Sequence, residues 1–146
     1  MTDRYQQLET VARKWMNEIW GKRDLTNFND FHHPDFQDMS PADRGTNRDS
    51  FRQGVEETFK IFPDFFAFVE DLVIDETKGK VAIRWSANAT HHGDFFGLRP
   101  TNRRINFQGI EIISIDEVGQ ITERWGEWDG LSILEQITRE FEGKNG

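Results

Sequence analysis

Apolar residues recur every three or four positions in the first part of the chain, a spacing typical of one face of a helix. This first stripe ends at Gly21. Thr46 and Asp49 form a capping box, after which a second helical face continues until Pro63 stops it. The pattern therefore predicts two amphipathic helices. The first stripe comprises Tyr5, Leu8, Val11, Ala12, Trp15, Met16, Ile19 and Trp20, and the second comprises Phe51, Val55, Phe59 and Phe62.

From Phe65 onward the pattern becomes alternating and rich in β-branched and aromatic residues. It predicts four strands. The last two flank a tight turn at Val118-Gly119 and should pair as an antiparallel hairpin. The predicted strands cover residues 65–75, 80–91, 104–116 and 120–129.

Two further regions complete the pattern. Residues 24–44 predict a short helix or turn, a brief strand near Phe36 and then a polar loop. A final helix is predicted from Leu131 to Phe141, with Leu131, Leu134, Ile137 and Phe141 on one face. Helices followed by a meander and a closing helix indicate an α+β fold with helices on one side of the sheet. With no repeat or linker, residues 1–146 are expected to form a single domain.

Composition narrows the range of partners. The formal net charge of −8 disfavours nucleic acid and anionic membrane surfaces. Cysteine is absent and no apolar run is long enough to span a bilayer, so we expect a cytoplasmic protein with no membrane partner. The chain has thirteen phenylalanines and five tryptophans, more aromatic residues than a core of this size needs. Some of them are candidates to line a pocket for a flat apolar ligand.

The strand from Gln120 carries the densest candidate chemistry. Strict alternation places Ile121, Glu123, Trp125, Glu127 and Asp129 on one face and Thr122, Arg124 and Trp128 on the other. Burial of the acidic face under helices would raise the carboxylate pKa values and prepare a general base. Spacing alone favours the alternative, a solvated face, because charged residues are rarely buried without partners.

Asp129 also precedes Gly130 and the final helix, where an aspartate is a favoured N-cap. His32-His33 and His91-His92 are pairs of neighbours in sequence. On a strand, two neighbouring side chains point to opposite faces, so they cannot both bind one metal ion. No third ligand follows at a recognisable spacing, so no metal site is expected.

Three spaced motifs follow one another in the second half. They are Thr90-His91-His92-Gly93, then Gly97-Leu98-Arg99-Pro100-Thr101-Asn102-Arg103, then Gly119-Gln120-Ile121-Thr122-Glu123-Arg124-Trp125 followed by Asp129. Together they resemble the SnoaL-like polyketide cyclase family. The resemblance implies a nuclear transport factor 2-like cone, in which a curved antiparallel or mixed sheet is wrapped by three to four helices around a deep pocket, and it places the face that carries Trp125 and Asp129 inside this cone. It also implies a homodimer and no metal or organic cofactor.

By the same resemblance, the chain is expected to be an enzyme acting on a small apolar or aromatic carbonyl compound, by proton abstraction and intramolecular aldol closure of a polyketide ester. Asp129 takes the acid/base role, and His91 hydrogen-bonds either Asp129 or the substrate oxygen. The remaining candidates are substrate-binding residues, namely Trp125, Glu127, Gln108, Trp85 and Phe59.

The departures of the chain from the family pattern include Asn102, which replaces a usual glycine, and Met39, which lies where members often have a histidine. Two alternatives remain open. One is an isomerase or epoxide hydrolase on the same fold, with Glu127 or Glu123 as a second carboxylate, although the Asp-Arg-Asp grouping of such hydrolases is not evident in the sequence. The other is a non-catalytic domain for small-molecule binding or dimerisation.

Overall fold

Residues 2–139 are described in a computed structural model of the chain. The first predicted helix is confirmed as α1, Asp3–Trp15, and its N-terminus is capped by the Thr2 side chain, which accepts the N–H of Tyr5. The helix then continues as a wider π-helical segment, Met16–Gly21, which ends at the glycine marked by the sequence pattern. Short π-helical segments within helices occur frequently at functional sites.

The middle of the first half forms α2, Phe28–Phe31, followed directly by β1, His32–Asp38. Both elements agree with the predicted short helix and the strand near Phe36. Helix α3 spans Arg48–Ile61. The capping box predicted for it is wrong by one residue, because Asn47 is the N-cap and its side chain accepts the N–H of Ser50 at 2.8 Å.

The four predicted strands are confirmed as β2, Phe66–Asp75, β3, Lys80–Thr90, β4, Arg104–Ile115, and β5, Ile121–Trp128. They form one sheet with β1 in the order β1-β5-β4-β3-β2. Strands β2 to β5 pair antiparallel in sequence order, whereas β1 runs parallel to β5. The sheet is therefore mixed, and the hairpin expected at Val118-Gly119 is present.

The closing helix, α4, spans Gly130–Thr138. The predicted apolar face is partly wrong, since Leu131 is 67% exposed while Ile133 and Ile137 are buried. Gln136 fixes the rotation of the helix, because its side-chain amide accepts the N–H of Asn106 and donates to the Asn106 carbonyl. Phe141 lies outside the described residues.

A β-bulge at the start of β5 reverses the faces predicted for this strand. Ile115 pairs with Ile121, but Ser114 pairs with Glu123, so Thr122 is an extra residue. One inserted residue shifts the alternation by one position. Arg124, Gly126 and Trp128 consequently lie on the concave face, where Ile121 is also buried, whereas Glu123, Trp125 and Glu127 point outward.

The apolar core fills the space between the concave face of the sheet and the helices α1 and α3. Buried side chains from every layer meet there, including Leu8 and Trp15 of α1, Phe51 and Val55 of α3 and Ile83 of β3. Within residues 2–139, no helix combines the length and apolarity that a membrane span requires.

Candidate active site

A cavity of about 240 Å³ lies between the concave face of the sheet, the π-helical segment and α3. Seven of its lining residues are aromatic, and the charged side chains come from β4, β5 and the segment that follows β1. The aromatic lining residues are Trp20, Phe51, Phe65, Trp85, Phe96, Phe107 and Trp128.

One glycine makes room for this aromatic wall. Gly109 of β4 pairs with Trp85 of β3, and a Cβ at position 109 would overlap the indole of Trp85 and the Glu127 carbonyl. Trp85 can therefore lie across the sheet, with its ring 5.9 Å from the ring of Phe107 in an edge-on arrangement. Edge-on contacts of this kind favour a fixed ring orientation.

The polar end of the cavity is a buried cluster of two carboxylates around one guanidinium. Arg124 Nε donates to Glu111 Oε1 at 2.8 Å and Nη2 donates to Glu111 Oε2 at 3.2 Å, while Nη1 donates to Asp38 Oδ1 at 2.8 Å. All three side chains are buried. Glu111 and Arg124 line the cavity, whereas Asp38 is not one of the lining residues. A two-pronged arginine–carboxylate pair fixes both groups in orientation.

Two residues after β1 extend this cluster. Arg44 Nη2 donates to Asp38 Oδ2 at 2.7 Å, and the backbone N–H of Ser40 donates to Asp38 Oδ1 at 3.0 Å. Arg44 and Ser40 both line the cavity. The two arginines and two carboxylates balance in formal charge, which is the condition under which burying ions is tolerable.

Burial sets the protonation behaviour of the cluster. Burial raises the pKa of Glu111 above its ordinary value, and the neighbouring Arg124 only partly offsets this effect. Burial opposes the charge on Arg124, but the Glu111 and Asp38 carboxylates outweigh it and raise the pKa of the guanidinium. Arg124 therefore stays charged, while Glu111 has the raised pKa expected of a carboxylate that exchanges protons with a ligand.

Of the substrate-binding residues predicted from the sequence, the cavity lining includes Trp85. Trp125, Glu127 and Gln108 instead lie on the outer face of the sheet, where Lys80 Nζ stands 4.7 Å from the centre of the Trp125 ring. The Thr122 bulge is the reason for the displacement of Trp125 and Glu127. Phe59 packs behind the wall, 5.8 Å from the ring of Trp20 and 5.7 Å from that of Phe65.

Asp129, the predicted acid/base residue, is exposed and caps α4. Its Oδ1 accepts the N–H of Ser132 at 3.0 Å, and its own backbone N–H donates to the Gln108 carbonyl. The residue is absent from the cavity lining. The N-cap interpretation of Asp129 is therefore confirmed.

His91, the predicted partner of Asp129, anchors a loop. Its Nδ1 lies 3.0 Å from Thr101 Oγ1 and accepts the N–H of Thr101 at 3.2 Å, so the expected hydrogen bond to Asp129 is not made. Its Nε2 has no hydrogen-bond partner among the described residues. Burial lowers the pKa of this imidazole, which favours its neutral form.

Sequence reasoning missed Glu111, Asp38 and Arg44, and it placed Arg124 on the wrong face. The Asp-Arg-Asp grouping that is not evident in the sequence has a relative in the structure, where Asp38, Arg124 and Glu111 form an Asp-Arg-Glu cluster. A usable signal existed for Glu111, because alternation along β4 puts it on the same face as Ile105, Phe107 and Ile113. An isolated carboxylate on an apolar face needs a buried partner.

The described residues contain no group of three or more His, Asp or Glu side chains arranged to hold a metal ion.

A curved mixed sheet closed by helices over one aromatic cavity defines the class of this molecule, which is the nuclear transport factor 2-like fold. The sequence profile of the SnoaL-like polyketide cyclase family matches residues 10–137. The chain belongs to this family. A search of curated proteins gives no match.

Solved structures support the same fold. A SnoaL-like polyketide cyclase candidate from Jannaschia sp. CCS1 has a TM-score of 0.84 at 16% identity, covering 97% of this chain and 98% of its own. IdmH from Streptomyces antibioticus, a candidate polyketide cyclase, has a TM-score of 0.77 at 25% identity, covering 91% and 99%. AclR from Streptomyces galilaeus, a candidate hydroxylase, has a TM-score of 0.79 at 23% identity, covering 93% and 83%.

Proposed function

We propose that the chain is a cofactor-independent enzyme that moves a proton next to the carbonyl group of a small flat compound, with Glu111 as the acid/base residue. The observation that carries this proposal is the position of Glu111. Among the described residues that line the cavity, it alone bears a carboxylate. The resemblance assigned this role to Asp129, which is exposed and occupied as a helix cap.

The proposed reaction begins with the carboxylate of Glu111 taking a proton from the carbon beside the carbonyl. The electrons of the C–H bond pass into an enolate, whose negative charge lies mainly on oxygen. In one outcome, the enolate carbon attacks a second carbonyl carbon and closes a ring. In the other, the conjugated enolate takes the proton back at a different carbon, which isomerises the substrate. In ring closure, the new alkoxide takes the proton back from Glu111, so that the enzyme returns to its starting state.

Charge balance in the cluster favours this step. Before the reaction, Arg44 and Arg124 balance Asp38 and Glu111. When Glu111 becomes neutral, the cluster gains one net positive charge at the moment the substrate gains one negative charge. Three of the five N–H groups of Arg124 are engaged by the two carboxylates, so it retains donors for the enolate oxygen. A pre-oriented cation in a dry cavity is effective stabilisation for such a charge.

Deuterium exchange into a model ketone tests whether the protein is an enzyme. 2-Indanone is flat, bicyclic and exchanges its α-protons slowly without a catalyst, so proton NMR in D₂O can follow enzyme-dependent loss of the α-proton signal. We expect exchange to accelerate with protein concentration. Binding of 2-indanone with no acceleration would instead favour the non-catalytic binding domain.

The carboxylate–arginine–carboxylate cluster also supports a second reaction on the same site. Glu111 would take a proton from water as the water oxygen bonds to an epoxide carbon and the C–O bond of the ring breaks. The arginines would stabilise the released alkoxide, which then takes the proton from Glu111 to give the diol. Styrene oxide tests this candidate, because its hydrolysis gives a diol that chromatography separates from the substrate. Protein-dependent diol formation without exchange into 2-indanone would favour epoxide opening over enolate chemistry.

We further propose that a second copy of the chain covers the outer face of the sheet. Register places Trp125, Ile112, Ala82 and Val73 side by side across four strands, forming one apolar row. Ile112 is 38% exposed and Val73 is 65% exposed, and Ile110 beside them is 50% exposed. A contiguous apolar patch of this kind on a sheet marks an interaction surface.

A further inference from the structure

A second, more open depression of about 490 Å³ lies beside the cavity, between α3 and the turn at residues 95–98. Five residues line both spaces, and the place where the two spaces meet is called the neck. These residues are Arg44, Gly54, Thr58, Phe96 and Trp128. The two aromatic side chains therefore stand where the cavity meets the outer depression.

Phe96 holds a backbone conformation that its side chain disfavours. Its φ is +48°, followed by +79° at Gly97, and these two residues form the turn between Phe95 and Leu98, which exchange both backbone hydrogen bonds. Two-residue turns with positive φ at both positions strongly prefer asparagine followed by glycine. The left-handed region costs an ordinary residue about 1–2 kcal/mol.

Burial in the core does not explain this phenylalanine, since its side chain is 77% exposed. Among the ring contacts of residues 2–139, the ring of Phe96 meets that of Phe95 in an edge-on arrangement, at 4.7 Å between centres. A strained, exposed aromatic residue at the mouth of a cavity is an outlier of the kind that accompanies ligand contacts.

The base of the loop is rigid, so the strain cannot relax through the stem. The N–H groups of His92 and Gly93 both donate to the Ile61 carbonyl at the end of α3. Gly93 has no room for a side chain, because a Cβ there would lie 2.8 Å from the Cα of Ile61. His91 and Thr101 tie the other end of the loop. Phe96 is thus presented on a fixed support.

The neck lies at a defined distance from the polar end. Glu111 pairs with Gly126, and Trp128 stands two residues farther along β5. Two residues of an extended strand span roughly 7 Å. This separation is of the order of the length of a two-ring ketone, with its carbonyl group at Glu111 and its far ring at the neck.

We propose that Phe96 is a specificity-determining residue that closes the neck over the far end of a bound substrate, and that it selects flat carbonyl compounds of at least two fused rings over single-ring ones. This inference rests on the proposed function, because it places the carbonyl group at Glu111. Contact of its ring with the ligand would explain why a phenylalanine occupies a position whose backbone conformation favours asparagine.

Two ketones that share the same reactive group test the inference. 2-Indanone carries the second ring and cyclopentanone lacks it, and calorimetry gives the dissociation constant of each. The wild-type chain should bind 2-indanone more tightly than cyclopentanone. Phe96→Asn should raise the Kd of 2-indanone about three- to tenfold, as expected for loss of one aromatic contact, and leave that of cyclopentanone unchanged.

Thermal unfolding of the same variants separates strain from contact. Phe96→Asn should raise Tm by about 2–4 °C, because asparagine tolerates positive φ. Phe96→Ala should weaken 2-indanone binding without this rise, because alanine keeps the strain and loses the ring. Phe96→Tyr should retain the preference for 2-indanone.

The proposal is overturned if the wild-type chain binds both ketones equally or neither, or if Phe96→Asn leaves the preference intact. If Phe96→Asn loses the preference for 2-indanone but has a Tm no higher than that of Phe96→Ala, the argument from backbone strain is overturned. Failure of the proposed chemistry has a different signature: 2-indanone would bind with the Phe96 dependence described, while Glu111→Gln would exchange protons normally.

Discussion

His32 is a polar residue enclosed by the aromatic core. The indole N–H of Trp15 donates to its Nε2 at 3.0 Å, and its Nδ1–H donates to the Phe28 carbonyl at 2.6 Å. The rings of Phe28 and Phe36 lie 4.2 and 5.0 Å from the imidazole. Both nitrogens are therefore satisfied in the neutral form, and a proton on Nε2 would break the bond from Trp15.

Stability should consequently decline in mild acid. Burial lowers the pKa of His32 to about 4 in the folded chain, from an ordinary value of 6.5 in the unfolded chain. Below pH 6.5 His32 takes up a proton in the unfolded chain but stays neutral in the folded chain. The free energy of unfolding therefore has its full value above pH 6.5 and decreases as the pH falls toward 4. The loss amounts to about 3 kcal/mol over this window.

Urea unfolding at several pH values between 7 and 5 measures this slope. His91, whose pKa burial also lowers, contributes with the same sign, whereas Glu111, whose pKa burial raises, contributes with the opposite sign, so the measurement is made in the Glu111→Gln background as well. His33→Gln is the matched control, since His33 is less buried and shows no aromatic enclosure, and the slope should survive in it. A free energy of unfolding that stays constant from pH 7 to pH 5 would contradict the account of His32.

Single residues differ in how far the sequence reveals them. Asn102 was noted as a departure from the usual family glycine, and its φ of +58° gives the reason, since asparagine is the ordinary residue that best tolerates this region. Glu111 was detectable as a charge on an apolar face. The anchoring role of His91 was not detectable, because Thr101 reaches it only through the fold of the loop.

At the scale of elements, periodicity predicted the helices and strands because burial on one face imposes it. The face of β5 could not be obtained in this way. Thr122 is inserted opposite β4, and nothing in the residues themselves marks the bulge, since it depends on the register with a strand elsewhere in the chain. One unrecognised residue exchanged the inner and outer sets of the part of the strand that follows Thr122.

The corrected face makes a sharp prediction for Gly126. A Cβ at this position would overlap the Arg124 guanidinium and the Glu111 carboxylate. Gly126→Ala should force this buried pair apart and lower the free energy of unfolding by about 3 kcal/mol, measured by urea unfolding.

Gly130→Ala is the matched control, because a Cβ at position 130 meets no atom within 4 Å. It should leave stability nearly unchanged. Equal tolerance of both substitutions would mean that the Arg124–Glu111 pair is not held as described.

At the scale of the whole molecule, the outer row of Trp125, Ile112, Ala82 and Val73 predicts self-association. Ile112→Lys places a charge in the middle of this row and should convert dimers to monomers, which sedimentation velocity measures directly. Val118→Lys adds the same charge at an exposed turn and should leave the assembly unchanged. A wild-type chain that sediments as a monomer at all concentrations would contradict the proposed dimer.

The fold and the family were both predictable from the sequence, because spaced motifs and hydrophobic periodicity can be recognised without knowing how the strands pair. The polar lining of the cavity was not. Motif position pointed to Asp129, which caps a helix outside the cavity lining, whereas the cavity encloses Glu111 and Arg124, residues that only tertiary structure brings together.

Deuterium exchange into 2-indanone, compared between Glu111→Gln and Asp129→Asn, tests the central assignment most directly. Asparagine is as good a helix cap as aspartate, so the second variant keeps its fold. Glu111→Gln should lose the catalysed exchange, about 10²–10⁴-fold for a positioned base. Asp129→Asn should exchange like the wild type, with a rate that rises with pH through the raised pKa of Glu111. Normal exchange in Glu111→Gln, together with loss in Asp129→Asn, would contradict the account.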